Sequence, residues 1–147
     1  MTQSAAHALF EKMSKQHDLL EQTWSGLRTG LKGDRVDQQA VLRQLQQLGK
    51  QLDEHFRFEE ADGYFDEVVA KAPHLQRQAD HLRGQHAEML GAVARLQASA
   101  GRLAAEPAQL AALRGLFEEI SKTFLEHEAA EGRLLEDAYC SDTTAID

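Results

Sequence analysis

Two His-x-x-x-Glu motifs, His55/Glu59 and His127/Glu131, are the parts of this chain whose residue types and spacing best suit chemistry. Residues four apart on a helix share one face and lie about 6 Å apart along its axis. An imidazole so placed can bind one metal ion while the carboxylate reaches toward a second. Two such motifs on different helices would supply two bridging carboxylates and two terminal imidazoles. His17 and His86 stand in other segments of the chain, and each would add one imidazole. Four nitrogens and two carboxylates make a hard-to-borderline donor set that suits iron and admits manganese or zinc. With no thiolate among the donors, structural zinc is disfavoured.

These residues need helices to bring them together, and the sequence is written for helices. Ala, Leu, Gln, Glu and Arg dominate, all good helix formers. Breakers divide the chain into four long segments, roughly 4–29, 35–71, 74–100 and 107–139. Gly26, Gly30 and Gly33 end the first segment, and Asp34 is the expected N-cap of the second. Pro73 opens the third, and the turn between Ser99 and Pro107 precedes the fourth. Long helices with brief connections predict an all-α fold, an up-down-up-down antiparallel four-helix bundle spanning residues 1–140. Residues 141–147 carry no pattern and are expected to form a flexible C-terminal tail.

Each segment carries one apolar stripe at three- and four-residue steps. The first reads Ala6, Phe10, Met13, His17, Leu20, Trp24, Leu27, and the second Val41, Leu45, Leu48, Leu52, His55, Glu59. The third reads Leu75, Ala79, Leu82, His86, Met89, Val93, Leu96. The fourth reads Leu113, Leu116, Ile120, Phe124, His127, Glu131, Leu134, Ala138. Every stripe is interrupted by a histidine, and two carry a glutamate one turn later. Six ionisable groups would then point into the interior. Burying them uncompensated is prohibitive for a domain with roughly 5–15 kcal/mol of net stability. A bound metal compensates them most simply.

Composition narrows the setting. At 147 residues the chain is the size of one domain. Its net charge of −8 argues against nucleic acid and anionic lipid as partners. No apolar run long enough for a membrane span and no signal-peptide pattern is visible. The single cysteine, Cys140, excludes an internal disulfide and fits a reducing compartment, so a cytoplasmic location is expected.

The order His…His-x-x-x-Glu…His…His-x-x-x-Glu resembles that of the hemerythrin-like, or HHE cation-binding, domains. It is carried by His17-Asp18, His55-Phe56-Arg57-Phe58-Glu59-Glu60, Leu82-Arg83-Gly84-Gln85-His86 and His127-Glu128-Ala129-Ala130-Glu131, and covers nearly the whole chain. The resemblance implies two iron ions with an oxo or hydroxo bridge in a four-helix bundle. By position, His17 and His55 would serve one iron, His86 and His127 the other, with Glu59 and Glu131 bridging. One departure stands out. Oxygen-carrying hemerythrins have a fifth histidine four residues from another on the third helix, where this chain has Leu82 and Leu90. The shorter set leaves more open coordination positions, which favours small-molecule chemistry over reversible oxygen carriage.

Ferritin-like bundles use Glu-x-x-His pairs instead, and no glutamate here has a histidine three residues on. His81 and Tyr64 are secondary metal-ligand candidates. His81 lies ~140° around the helix from His86, off the stripe, and Tyr64 follows Glu59 by five residues. Glu60 and Glu128 each sit one residue past a stripe position, suited to support a ligand rather than to be one. The expected function is binding or sensing of oxygen, nitric oxide or peroxide at open iron sites, with an electron-donor or signalling protein as partner. The alternative is an enzyme with catalase-like or nitric-oxide-detoxifying activity, for which no separate general acid or base is identifiable. Iron storage or delivery fits less well, because the chain offers one site and no evident cage-forming surface.

Overall fold

The computed structural model describes residues 3–106 and 108–139. Among them every regular element is helical: α1 (Gln3–Gly30), α2 (Gln38–Glu59), α3 (Tyr64–Lys71), α4 (Gln76–Gly101) and α5 (Gln109–Tyr139), with a 3₁₀ turn at Pro73–Leu75 before α4. The four long helices form a bundle in which α1 packs on α2, α2 on α4, α4 on α5, and α5 back on α1. The α1–α5 seam is the loosest of the four. Cys140, residues 141–147 and Pro107 lie outside the described residues, as does the side chain of Ala6.

The expected second helix over 35–71 is two helices. The chain leaves α2 at Glu60 and turns through residues 60–63, with the Asp62 amide bonding the Arg57 carbonyl at 2.9 Å. It re-enters a helix after Gly63, whose φ of +87° is left-handed. Only glycine takes that conformation without steric cost, so Gly63 is what permits the break. The N-cap of α2 also differs from expectation. Asp37, not Asp34, fills it, accepting the Ala40 amide at 3.1 Å.

The polar residues divide the interior in two. One apolar cluster gathers Leu20, Trp24 and Leu27 with Leu45, Leu48, Leu52, Phe56, Met89, Val93, Leu96, Phe117 and Phe124. The other gathers Met13, Phe58, Tyr64, Phe65, Val68, Leu75, Leu82, Leu134 and Ala138. Between Met13 and Leu20 on α1 sits His17; between Leu82 and Met89 on α4, His86; between Phe124 and Leu134 on α5, His127 and Glu131. The six ionisable groups thus form one layer between two dry clusters.

The larger cluster is pinned by Trp24, which stacks on Phe117 and Phe124 at 4.7 and 5.0 Å between ring centres. Its indole N–H donates to the Ser121 hydroxyl at 2.9 Å, and that hydroxyl donates to the Phe117 carbonyl at 2.7 Å. Arg114 closes the α1–α2 connection by donating to the carbonyls of Leu31, at 2.7 Å, and Gly33. Two apolar expectations shift. Phe10 is 51% exposed, because it faces the open α1–α5 seam. On α5, Phe117 is the residue buried at that turn, with Leu116 packed against the cluster from its edge.

Candidate metal centre

Helical phase brings the six expected ligands to one level. His55, Glu59, His86, His127 and Glu131 are all at most 4% exposed, while the His17 side chain keeps 23%. Counted from Pro73, His55 and His86 would miss each other by about 5 residues, or ~7 Å, if α2 ran straight to the turn. The break at residues 60–63 and the short α3 take up that excess. His86 Nε2 accordingly reaches Glu59 Oε1 at 3.0 Å.

The donors fall into two groups that share Glu131. In one, Glu131 Oε2 lies 2.7 Å from His17 Nε2 and 3.1 Å from His55 Nε2. In the other, Glu131 Oε1 lies 2.7 Å from His127 Nε2, and Glu59 Oε1 lies 3.0 Å from His86 Nε2. Glu59 Oε1 also stands 3.5 Å from His55 Nε2, so each carboxylate spans the two groups. The donor atoms of Glu59, His86, His127 and Glu131 lie within 4.8 Å of one another, as do those of His17, His55 and Glu131. The rings pair in the same way: His17 and His55 at 4.9 Å between centres, His86 and His127 at 5.6 Å, both edge to face.

Short distances here are not hydrogen bonds throughout. Glu59 Oε1 and Oε2, His86 Nε2, His127 Nε2 and Glu131 Oε1 are buried atoms with no hydrogen-bond partner among the described residues. Buried polar atoms are rarely left so, and each such atom costs ~1–3 kcal/mol. One atom from each of Glu59, His86, His127 and Glu131 converges on one spot, and the unpartnered atoms there do not align on each other. Donor atoms aimed at a common point, not at one another, could hold a cation there.

The opposite ring nitrogens are held as metal-binding histidines usually are. His55 Nδ1 donates to Gln16 Oε1 at 2.6 Å, His86 Nδ1 to Glu60 Oε2 at 2.7 Å and His127 Nδ1 to Gln85 Oε1 at 2.7 Å. Each Nδ1–H so engaged leaves its Nε2 lone pair facing inward. Glu60 is steadied in turn by Arg83, 3.9 Å from its other oxygen. The sequence flagged Glu60 as a supporting residue but not Gln16 or Gln85. The available signal was position: each of the three stands directly beside a stripe residue, ~100° around its helix and so turned toward the next one.

Electrostatics separate the two carboxylates. Burial pushes Glu59 well above the usual carboxylate range, and the charge of Glu131 pushes it further. Burial would raise Glu131 too, but His127, His17 and His55 outweigh it and hold that carboxyl well below its ordinary value. His17 is the converse: burial would lower it, and its contact with Glu131 raises it. Burial lowers His86 against the opposing pull of Glu60. Glu128, half-buried, is pushed up to about 7, chiefly by burial.

The two halves differ in access. Phe56 lies flat on His86, with centres 3.8 Å apart and planes 10° apart, and Phe65 stands 5.9 Å from the same ring. On the other side a cavity of about 400 Å³ opens between α1 and α5, lined by Phe10, Met13, His17, Glu131, Leu135 and Tyr139. The secondary candidates lie outside both donor groups. His81 is exposed on α4 and contacts Gln85 at 3.3 Å, which places it beyond the support of His127 rather than among the donors. Tyr64 is buried, stacked on Phe58, and its hydroxyl has no hydrogen-bond partner among the described residues. Burial raises that phenol far above its ordinary range, with Glu59 and Glu131 adding to the shift.

Among the described residues no helix is long and apolar enough to cross a membrane. Comparisons of the chain with family models, with characterised proteins and with solved structures give no match.

Proposed function

We propose that this chain is a hemerythrin-like protein that holds two iron ions and binds a small molecule at an open coordination position, in a binding or sensing role. The observation that carries the reading is the sharing of Glu131, whose two oxygens face different histidine pairs, His17 and His55 on one side and His127 on the other. The unpartnered atoms of Glu59, His86, His127 and Glu131 support a cation in that group, and the clustering of His17, His55 and Glu131 supports a second beside it. An up-down-up-down antiparallel order belongs to this reading. Rising residues on one helix meet falling residues on the next, as in Gln16 with His55 and Thr23 with Gln51.

Iron would supply the electrons and the vacant positions for oxygen, nitric oxide or peroxide. The protein's part is to hold, orient and shield. Glu59 and Glu131, with the imidazoles of His17, His55, His86 and His127, would hold the ions. Phe56 and Phe65 keep water from His86. The α1–α5 cavity gives a small ligand its way to the His17 side. Four imidazoles and two carboxylates are few donors for two ions, so a small ligand would find room beside them. The same cavity admits peroxide, which is why a catalase-like or nitric-oxide-detoxifying enzyme stands as the second reading.

One experiment tests both. Protein expressed with iron and purified is assayed for metal, reduced anaerobically and exposed to oxygen. Two irons per chain and a stable charge-transfer band are the outcome for a binder. Prompt bleaching with oxygen release from added peroxide moves the reading to the enzyme. Well under two irons per chain overturns it.

A further inference from the structure

The outer hydrogen bonds of the histidines run in one direction around the bundle. Gln16 on α1 accepts from His55 on α2, and Glu60 at the end of α2 accepts from His86 on α4. Gln85 on α4 accepts from His127 on α5. Each acceptor is the chain neighbour of a donor residue on its own helix, yet serves the next helix in the ring. The neighbour is the preceding residue on α1 and α4 (Gln16, Gln85) and the following residue on α2 and α5. Helices that run in opposite directions turn those two neighbours to the same rotational side.

One link is left, from α5 back to α1. The residue following His127 is Glu128. Its Oε1 is a buried atom with no hydrogen-bond partner among the described residues, and the carboxylate lies close enough to His17 for their charges to interact. His17 already spends Nε2 on Glu131, as the other three rings turn Nε2 inward.

We propose that Glu128 is the fourth outer acceptor: it takes the Nδ1–H of His17 when the site is filled and so closes a ring of four acceptors that fixes all four imidazoles. Glu128 is a positioning residue, acting on the metal through His17. Carboxylates and amides then alternate around the ring, so each histidine pair has one imidazole held by a carboxylate and one held by an amide. The inference rests on the two-metal reading.

The test uses Zn²⁺ as a diamagnetic probe with the full chain. Wild type, Glu128→Gln and Glu128→Leu are titrated against a chelating indicator, and nitrogen-15 imidazole spectra are recorded on the loaded proteins. Wild type takes up two ions in two steps. Glu128→Leu weakens the second step by about 10-fold or more, in the range usual for an outer-sphere partner, and Glu128→Gln, which keeps an acceptor, restores most of it. In wild type the His17 Nδ1–H is protected from solvent exchange, and in Glu128→Gln that resonance alone moves upfield. The spectra decide the matter from wild type and Glu128→Gln even where Glu128→Leu fails to fold. Two ions bound with both steps within twofold across the three proteins overturns the role of Glu128 alone, as does coordination of His17 through Nδ1. Fewer than two ions in wild type overturns the two-metal reading, and the inference with it.

Discussion

The two histidine pairs are chemically alike and physically unlike. His86 and His127 sit at the seam where α4 packs closely, under an aromatic ring in van der Waals contact with His86. In the other pair His17 borders the loosest seam, between α1 and α5, and is the one donor whose side chain keeps substantial contact with solvent, while His55 beside it is buried. The difference comes from what stands beside the donors. On α2, Phe56 follows His55 and covers His86. On α1, the residue about two turns before His17 is Phe10, which stays half exposed at that seam. A bundle can thus surround a polar layer with the same ligand types and still leave one side reachable.

The sharpest way to break this comparison is to remove what the halves have in common. Glu131→Ala takes a donor from both groups, and both metals are expected to be lost, with the count per chain falling from two to near zero by metal analysis. His17→Ala removes a donor from the open half only, so the count is expected to fall from two to one while the thermal midpoint of the metal-free protein moves little. Equal loss in the two variants would show that the halves fill as a unit.

Phe56→Ala attacks the closed half. It removes a fully packed ring and is expected to cost about 3–5 kcal/mol by denaturant unfolding. It should also make His86 as reachable as His17, which solvent exchange of the imidazole protons would register. Gly63→Ala is the mildest. No atom lies within 4 Å of the added carbon, so the cost is the left-handed backbone alone, about 1–2 kcal/mol. A cost near zero would mean that the turn at residues 60–63 has shifted and carried Glu60 with it, and loss of the Glu60–His86 contact would confirm that.

Much of this was legible in the sequence. Period-3.6 stripes are a strong signal, and they located the four long helices and the layer containing His17, His55, Glu59, His86, His127 and Glu131. The break in the second segment was missed because Glu60, Ala61 and Asp62 are tolerable in a helix, and a lone glycine is an ambiguous mark until its φ is known. Phe10 was misplaced because periodicity gives the face of a helix, not whether a neighbour covers it. Gln16 and Gln85 were missed for a related reason. Residues beside a stripe look like solvated surface unless the next helix is already in place.

Trp24 is the chain's single tryptophan, and it is clamped between two phenylalanines with its N–H bonded to Ser121. It stands seven residues from His17 on the same helix, roughly 10 Å along the axis. Its fluorescence therefore has one source and one environment, so unfolding of the larger apolar cluster should redshift the emission. Filling the neighbouring layer with a coloured metal centre should instead quench the emission by energy transfer without moving it. The two events are separable in a single cuvette with no label attached.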